Sequence, residues 1–488
     1  MTRFCPPRRH RARFRAVLLI LVCVSVAAPL GAQGLFRTDA ADLGFDPDRL
    51  AFVPRVLQSY VDDGRLPGGV ILVARRGRIA LLHAFGARDR EAGDPMAPDD
   101  LFRIASQTKA LVSTAALILV EEGRLGLSDP VGRYLPPFRR TTVAVRREGG
   151  AGYDVVDANR PVTIRDLLTH TSGVGYGSGP AADRWREAGI TGWYFADREE
   201  PIGETVARMA ALPFDAQPGE RFVYGYSIDI LGAVVEVVSG QPLDLFLRTR
   251  VLEPLGMKDT RFYAREEDRD RLTVVYSLTD SGLVRAPDPG GMVGQGAYVD
   301  GPRTSFSGGA GLVSTAEDYA RFLQMTLNGG ALDGVRILSP KTVQLMTANH
   351  VGNLLGEATG FGLGFSVVRD LGARGSHGSV GEYGWGGAYH SVYWVDPAEE
   401  LVVVYLTQVI PADGLDDQDR VRALVYQAIV DGGHRGSEPK PSGTGRLPGR
   451  WGGSGPSSGL ESAACAAAPE GPRRAGRFSP AEASARFR

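Results

Sequence analysis

Lysine is nearly missing from this chain: of 55 basic side chains, only Lys109, Lys258, Lys341 and Lys440 are lysine. Cysteine is scarcer still, at Cys5, Cys23 and Cys465 alone. All three fall in stretches that do not read as fold, so the core has no disulfide framework, thiolate metal site or cysteine nucleophile. The seven histidines form no HExxH-type spacing, so neither a catalytic metal nor any other cofactor is expected. Excess charge is also missing, the net value being −1. That balance gives no electrostatic case for nucleic acid or for an anionic membrane surface. No G-x-S-x-G occurs, which argues against the nucleophile elbow of the α/β-hydrolase fold.

What is present begins with a secretory layout. "MTRFCPPRRHRARFR" is basic, "AVLLILVCVSVAAPL" is apolar and "GAQ" offers a small residue for cleavage near Ala32. Residues 1–32 are therefore expected to be a signal peptide and 33–42 a linker. The apolar run is short for a membrane span. The mature protein is expected to be exported, periplasmic or secreted, or membrane-anchored if the segment is retained. Residues 43–432 read as folded. After them, 433–488 are rich in Gly, Pro, Ser, Ala and Arg without apolar periodicity, the composition of a disordered tail.

Within the folded part, "DPDRLAFVPRVLQSYVDDGRLPGG" has helical spacing, and "VILVARRGRIALLHAFG" reads as a hairpin turning at Arg75 to Gly77. Residues 125–345 read mostly as helix and loop. Strand character returns over 361–408, and "RVRALVYQAIV" is a closing helix. Strands at both ends with helices between predict an α+β fold whose sheet is completed by the two termini.

The rare lysine then stands out. Ser106-Gln107-Thr108-Lys109 opens a helix that is apolar on nearly every side from Ala110 to Val120. Residues i and i+3 share a helix face, so hydroxyl and amine can meet. A serine hydroxyl needs a base to become a nucleophile. Lysine can be that base if burial and nearby positive potential depress its pKa, whereas arginine stays protonated. The helix start also offers the Ser106 N–H to a developing oxyanion. A second copy of the spacing, Ser437 to Lys440, lies in the Pro-rich tail with no helix to align it.

"LFRIASQTKALVSTAALILVEEGRLGLSDPVGRYLP", "TIRDLLTHTSGVGYG" and "PGERFVYGYSIDILGAVVEVVSG" together resemble the serine β-lactamase and penicillin-binding-protein superfamily. Within it the resemblance is closest to the class C-like serine hydrolases known as family VIII carboxylesterases, and it covers residues 43–432. It implies a β-lactamase/transpeptidase-like fold, with an antiparallel sheet from both chain ends flanked by helices and a mostly helical middle. It also implies a catalytic tyrosine after the "PGE-x-F" turn. Tyr224 holds that register, with Tyr226 the competing phenol. Where relatives carry K-T-G, Trp385-Gly386-Gly387 precedes a strand, and the N–H of Ala388 would be the second oxyanion donor. Lys341-Thr342-Val343 lacks the glycine and opens a helix instead. His170 is expected to be a satisfied structural histidine and His377 a candidate for the mouth of the cleft.

Penicillin-recognising relatives carry Y-x-N and K-T-G, whose Asn and Lys bind the lactam. Here Tyr226 and Trp385 stand in those places, which favours a small apolar ester. The expected activity is therefore that of a carboxylesterase working through Ser106, Lys109 and Tyr224. The alternatives are a β-lactamase or D-alanyl-D-alanine carboxypeptidase, and a non-catalytic penicilloyl sensor. The expected partner is a small ester or amide, and nothing in the sequence fixes an oligomeric state.

Overall fold

The computed structural model describes residues 1–2, 35–149 and 152–431. The expected signal peptide from residue 3 onward and the tail, with the second Ser-x-x-Lys copy, lie outside the described residues. The chain divides at Gly34, and the account below concerns the unit that begins at Leu35.

Nine strands form the main sheet: β1 (Phe36–Arg37), β2 (Gly68–Arg75), β3 (Arg78–Asp89), β4 (Asp94–Pro95), β5 (Thr359–Phe361), β6 (Ser366–Val368), β7 (Tyr383–Gly387), β8 (Ser391–Asp396) and β9 (Leu401–Leu406). Their order is β1-β3-β2-β9-β8-β7-β6-β5, with β4 on β3. Only the short β1–β3 pairing is parallel. β2 and β9 join the two chain ends in one antiparallel ladder, Val70 opposite Leu406 and Arg75 opposite Leu401. The sheet is thus completed by both termini, as the sequence led us to expect.

Strands this apolar must be covered twice, because successive side chains point to opposite faces. Val70 and Leu72 of β2, with Val402 and Val404 of β9, face one core. Ile71 and Val73, with Leu401, Val403 and Tyr405, face the other. Helices α1 (Phe52–Asp62) and α5 (Asp417–Gln427) cover the second face. The first carries α2 (Thr108–Glu121), α3 (Ser227–Ser239) and α4 (Ala316–Leu327). In α2 every residue from Thr108 to Leu119 is buried, so nothing about its axis is amphipathic. It is held by close packing on all sides. Among the described residues no single helix is long and apolar enough to cross a membrane.

Besides a two-residue pairing at Ala331–Leu332 with Val335–Arg336, the middle region departs from the expected helix-and-loop pattern at two longer ribbons, Thr142–Arg146 with Tyr153–Asp157 and Tyr276–Thr279 with Gly282–Arg285. Each is a local hairpin off the main sheet with exposed positions along its length. Their apolar alternation is therefore too weak to read.

Candidate active site

Ser106 sits on a 3-10 turn, Ala105–Gln107, that leads directly into α2. In 3-10 geometry residues i and i+3 nearly eclipse, which brings the serine and the lysine into line. Ala105 has φ +42°, a region that non-glycine residues seldom occupy. Such strain persists only where the surroundings impose it. Here they do: Ile104 N–H donates to the Leu312 carbonyl, the Tyr319 hydroxyl donates to the Gln107 carbonyl, and the Gln408 amide brackets the backbone of Arg103.

Lys109 is 2% exposed. Its Nζ lies 3.2 Å from Ser106 Oγ, 3.0 Å from the Tyr176 hydroxyl and 2.8 Å from the Gly309 carbonyl. The carbonyl can only accept, so it takes one N–H in either protonation state. The other positions of the amine then turn towards Ser106 and Tyr176.

Tyr224 presents its ring to the same amine, with Nζ 4.6 Å from the ring centroid. Its hydroxyl accepts the Trp385 Nε1–H at 2.9 Å and is also hydrogen-bonded to Tyr176. The Tyr176 phenol is pushed well above its ordinary range, chiefly by burial and then by Tyr224 and Asp229. Ser106, Lys109, Tyr176, Tyr224 and Trp385 thus form one continuous polar chain.

Tyr226 does not join it. It is fully buried, stacks on Trp185 at 5.5 Å and reaches only the Tyr176 carbonyl, at 3.5 Å. We correct its expected place as a substrate-contacting residue: it backs the cluster from behind. It precedes α3 as the N-cap residue, and that position turns its ring into the core.

Tyr176, within "TSGVGYG", was not singled out from the sequence. The available signal was an aromatic residue between two glycines in a loop. Gly177 takes φ +78°, and a Cβ at Gly175 would overlap the carboxylate of Asp215.

Trp385, Gly386 and Gly387 lie on β7, whose last residues pair with Ser391 and Val392 of β8. A Cβ at Gly387 would come within 2.6 Å of the Ile104 carbonyl, so only glycine lets the strand run this close to the nucleophile turn. Ala388 follows and packs against the small apolar cluster that contains Ala105.

His170 is buried, as expected, but not satisfied: neither ring nitrogen has a hydrogen-bond partner. The ring lies 4.6 Å from Tyr224 and is flanked by Phe222 and Phe361. Burial first, and Lys109 second, hold its pKa well below the usual range. It is a neutral part of an aromatic wall, and its carbonyl accepts from Val223 N–H next to Tyr224.

A cavity of about 1630 Å³ opens beside the cluster, and Tyr176, Val223, Tyr224, Trp385 and His377 are among the residues that line it. Asp215 also lines it, its carboxyl raised to about 6 by burial. The folded state therefore holds this proton more tightly than the unfolded chain. The stability linked to it is full below about pH 4 and is lost as pH rises through about 6. Asp215→Asn should accordingly raise the melting temperature by a few degrees at pH 8, with the gain gone by about pH 4. Melting curves of both proteins across that range check this, and an equal shift at both ends would refute it.

A family model described as beta-lactamase matches residues 53–427. Protein Rv1367c of Mycobacterium tuberculosis is 36% identical over 381 residues, 74% of this chain and 90% of its own. Esterase EstB of Burkholderia gladioli is 36% identical over 390 residues, 76% of this chain and 92% of its own. The solved structure of EstCE1, described as a hydrolase with promiscuous acyltransferase activity, aligns with a TM-score of 0.66 at 31% identity. It covers 78% of this chain and 99% of that one.

Proposed function

The chain belongs to the β-lactamase family of serine hydrolases, and on that premise we propose that it is a carboxylesterase using Ser106, Lys109 and Tyr224. Ser106 Oγ attacks the ester carbonyl, and its proton passes to the Lys109–tyrosine network. The Ser106 and Ala388 N–H groups face the oxyanion. Collapse breaks the bond to the alkoxy oxygen, which takes the proton and leaves as the alcohol. Water then attacks the acyl-enzyme and releases the acid, regenerating the serine. Tyr176 shares the proton network as the phenol in direct contact with the amine. On the N-terminal pattern, we place the mature enzyme outside the cytoplasm.

The observation that carries the ester reading is Trp385. Its indole N–H is committed to the Tyr224 hydroxyl, and its ring forms cavity wall where lactam-recognising relatives have a lysine. A carboxylate-bearing substrate finds no cation at that strand position. The esterase named among the relatives supports the same reading.

The test is kcat/KM for p-nitrophenyl butyrate against nitrocefin, with the acylated residue mapped by mass spectrometry. The ester is expected to be favoured by at least about 100-fold, with transient acylation at Ser106. Efficient nitrocefin turnover would make the enzyme a β-lactamase, and a stable lactam adduct without turnover would make it a sensor.

A further inference from the structure

The Gly309 carbonyl aims the Lys109 amine, and the residue that holds this carbonyl in place is Asp229. Asp229 lies in the first turn of α3, 1% exposed. Its Oδ1 accepts from Ser307 Oγ at 2.6 Å and from Gly309 N–H at 3.0 Å. Ser307 Oγ in turn accepts from Ala310 N–H at 3.2 Å. The loop fits its carboxylate closely. A Cβ at Gly309 would overlap that carboxylate, and one at Gly308 would come against the Ile228 carbonyl. The carboxylate thus holds the N–H of Gly309 directly and, through Ser307 Oγ, the N–H of Ala310, which shares a peptide group with the Gly309 carbonyl that holds Nζ at 2.8 Å.

Burying a carboxylate is expensive unless a charge or several donors compensate it. No Lys, Arg or His of the described residues lies within ion-pair distance of Asp229, and the cation whose charge acts on it is Lys109. A neutral asparagine could accept the same two hydrogen bonds without that desolvation. Burial pushes the Asp229 carboxyl up, and Ser307, Lys109 and the Gly309 N–H act against that rise, so an acidic residue here calls for an explanation other than loop shape.

We infer that Asp229 is a positioning residue for the reaction: through Gly309 it sets where the Lys109 amine stands, and its charge balances that amine as the serine proton arrives. This rests on the reading of Lys109 as part of the proton network. The groups facing Asp229 are Lys109 from α2, the phenols of Tyr176 and Tyr226, and the Ser307 hydroxyl.

The experiment compares Asp229→Asn, Ser307→Ala and Lys109→Met in the full chain. It measures kcat, KM and melting temperature, and the pH profile from about pH 5 to 10 on p-nitrophenyl butyrate. Asp229→Asn is expected to lower kcat by about 10- to 100-fold with KM within about 3-fold. The acid limb of its profile should move to lower pH, because a buried anion favours the protonated cluster. Ser307→Ala, which removes one loop contact and keeps the charge, should lower kcat by about 3- to 10-fold and leave the limb in place. A folded Asp229→Asn enzyme with the wild-type kcat and profile overturns the inference. So does a loss that follows melting temperature with the profile unmoved. If Asp229→Asn does not fold, Ser307→Ala decides: wild-type kcat there counts against the loop contact and overturns the inference, and a lowered kcat at unchanged KM supports it. Should Lys109→Met remain active, the reading of Lys109 fails, and Asp229 loses its role with it.

Discussion

Ser106→Ala is expected to lower kcat/KM for p-nitrophenyl butyrate by at least about 10,000-fold while the protein melts within a few degrees of the wild type. The size follows from the mechanism: without Oγ there is no acyl-enzyme, and the oxyanion donors and cavity can assist only a slow attack by water. The small stability effect follows from the structure. Ser106 is only half-buried, and its side chain has one hydrogen bond, to Lys109 Nζ at 3.2 Å. Removing the hydroxyl leaves that amine its two other partners, so no buried group is stranded. The check is a steady-state assay beside a melting curve. Activity within about 100-fold of wild type would remove Ser106 as the nucleophile.

Lys109→Arg is expected to reduce kcat by about 1,000-fold or more, although it keeps the positive charge. In a chain with so few lysines, arginine would be the ordinary way to place a cation here. A guanidinium cannot give up its proton at any working pH, so it cannot accept one from Ser106. It is also a longer, planar group in a slot sized for an amine, between the Tyr176 hydroxyl, the Gly309 carbonyl and the face of Tyr224. Overpacking of that kind costs roughly 1–3 kcal/mol, so the melting temperature should fall as well. The two effects separate in the kinetics. Loss of the proton acceptor lowers kcat at nearly constant KM, whereas a distorted cavity would raise KM. A Lys109→Arg enzyme with kcat within about tenfold of wild type would show that positive charge alone suffices and that the proton goes elsewhere.

Some of this is legible in the amino-acid sequence, and the reason is distance along the chain. The pairing of Ser106 with Lys109 follows from helical periodicity, since three residues span one turn wherever the helix lies. The doubly buried strands follow from unbroken apolar runs such as "VILVA" and "LVVVYL", which no one-sided sheet could use. The need for glycine at 387 was not readable, because the Ile104 carbonyl that it must clear lies far off along the chain. The ambiguity between Tyr224 and Tyr226 could not be resolved by pattern. The two lie two residues apart at a helix start, and only packing decides that one faces Lys109 while the other stacks on Trp185. Tyr176, Gly309 and Asp229 were beyond reach for the same reason. Tyr176 is 67 positions from Lys109 and Gly309 is 200, and no local rule links residues so far apart. Sequence alone put forward the proposed nucleophile and its amine and determined the kind of sheet that carries them, because those are properties of single turns and single strands. The tertiary structure decided which phenols, which carbonyl and which buried carboxylate surround the amine, because those contacts exist only once α2, α3 and the loop at 307–311 pack together.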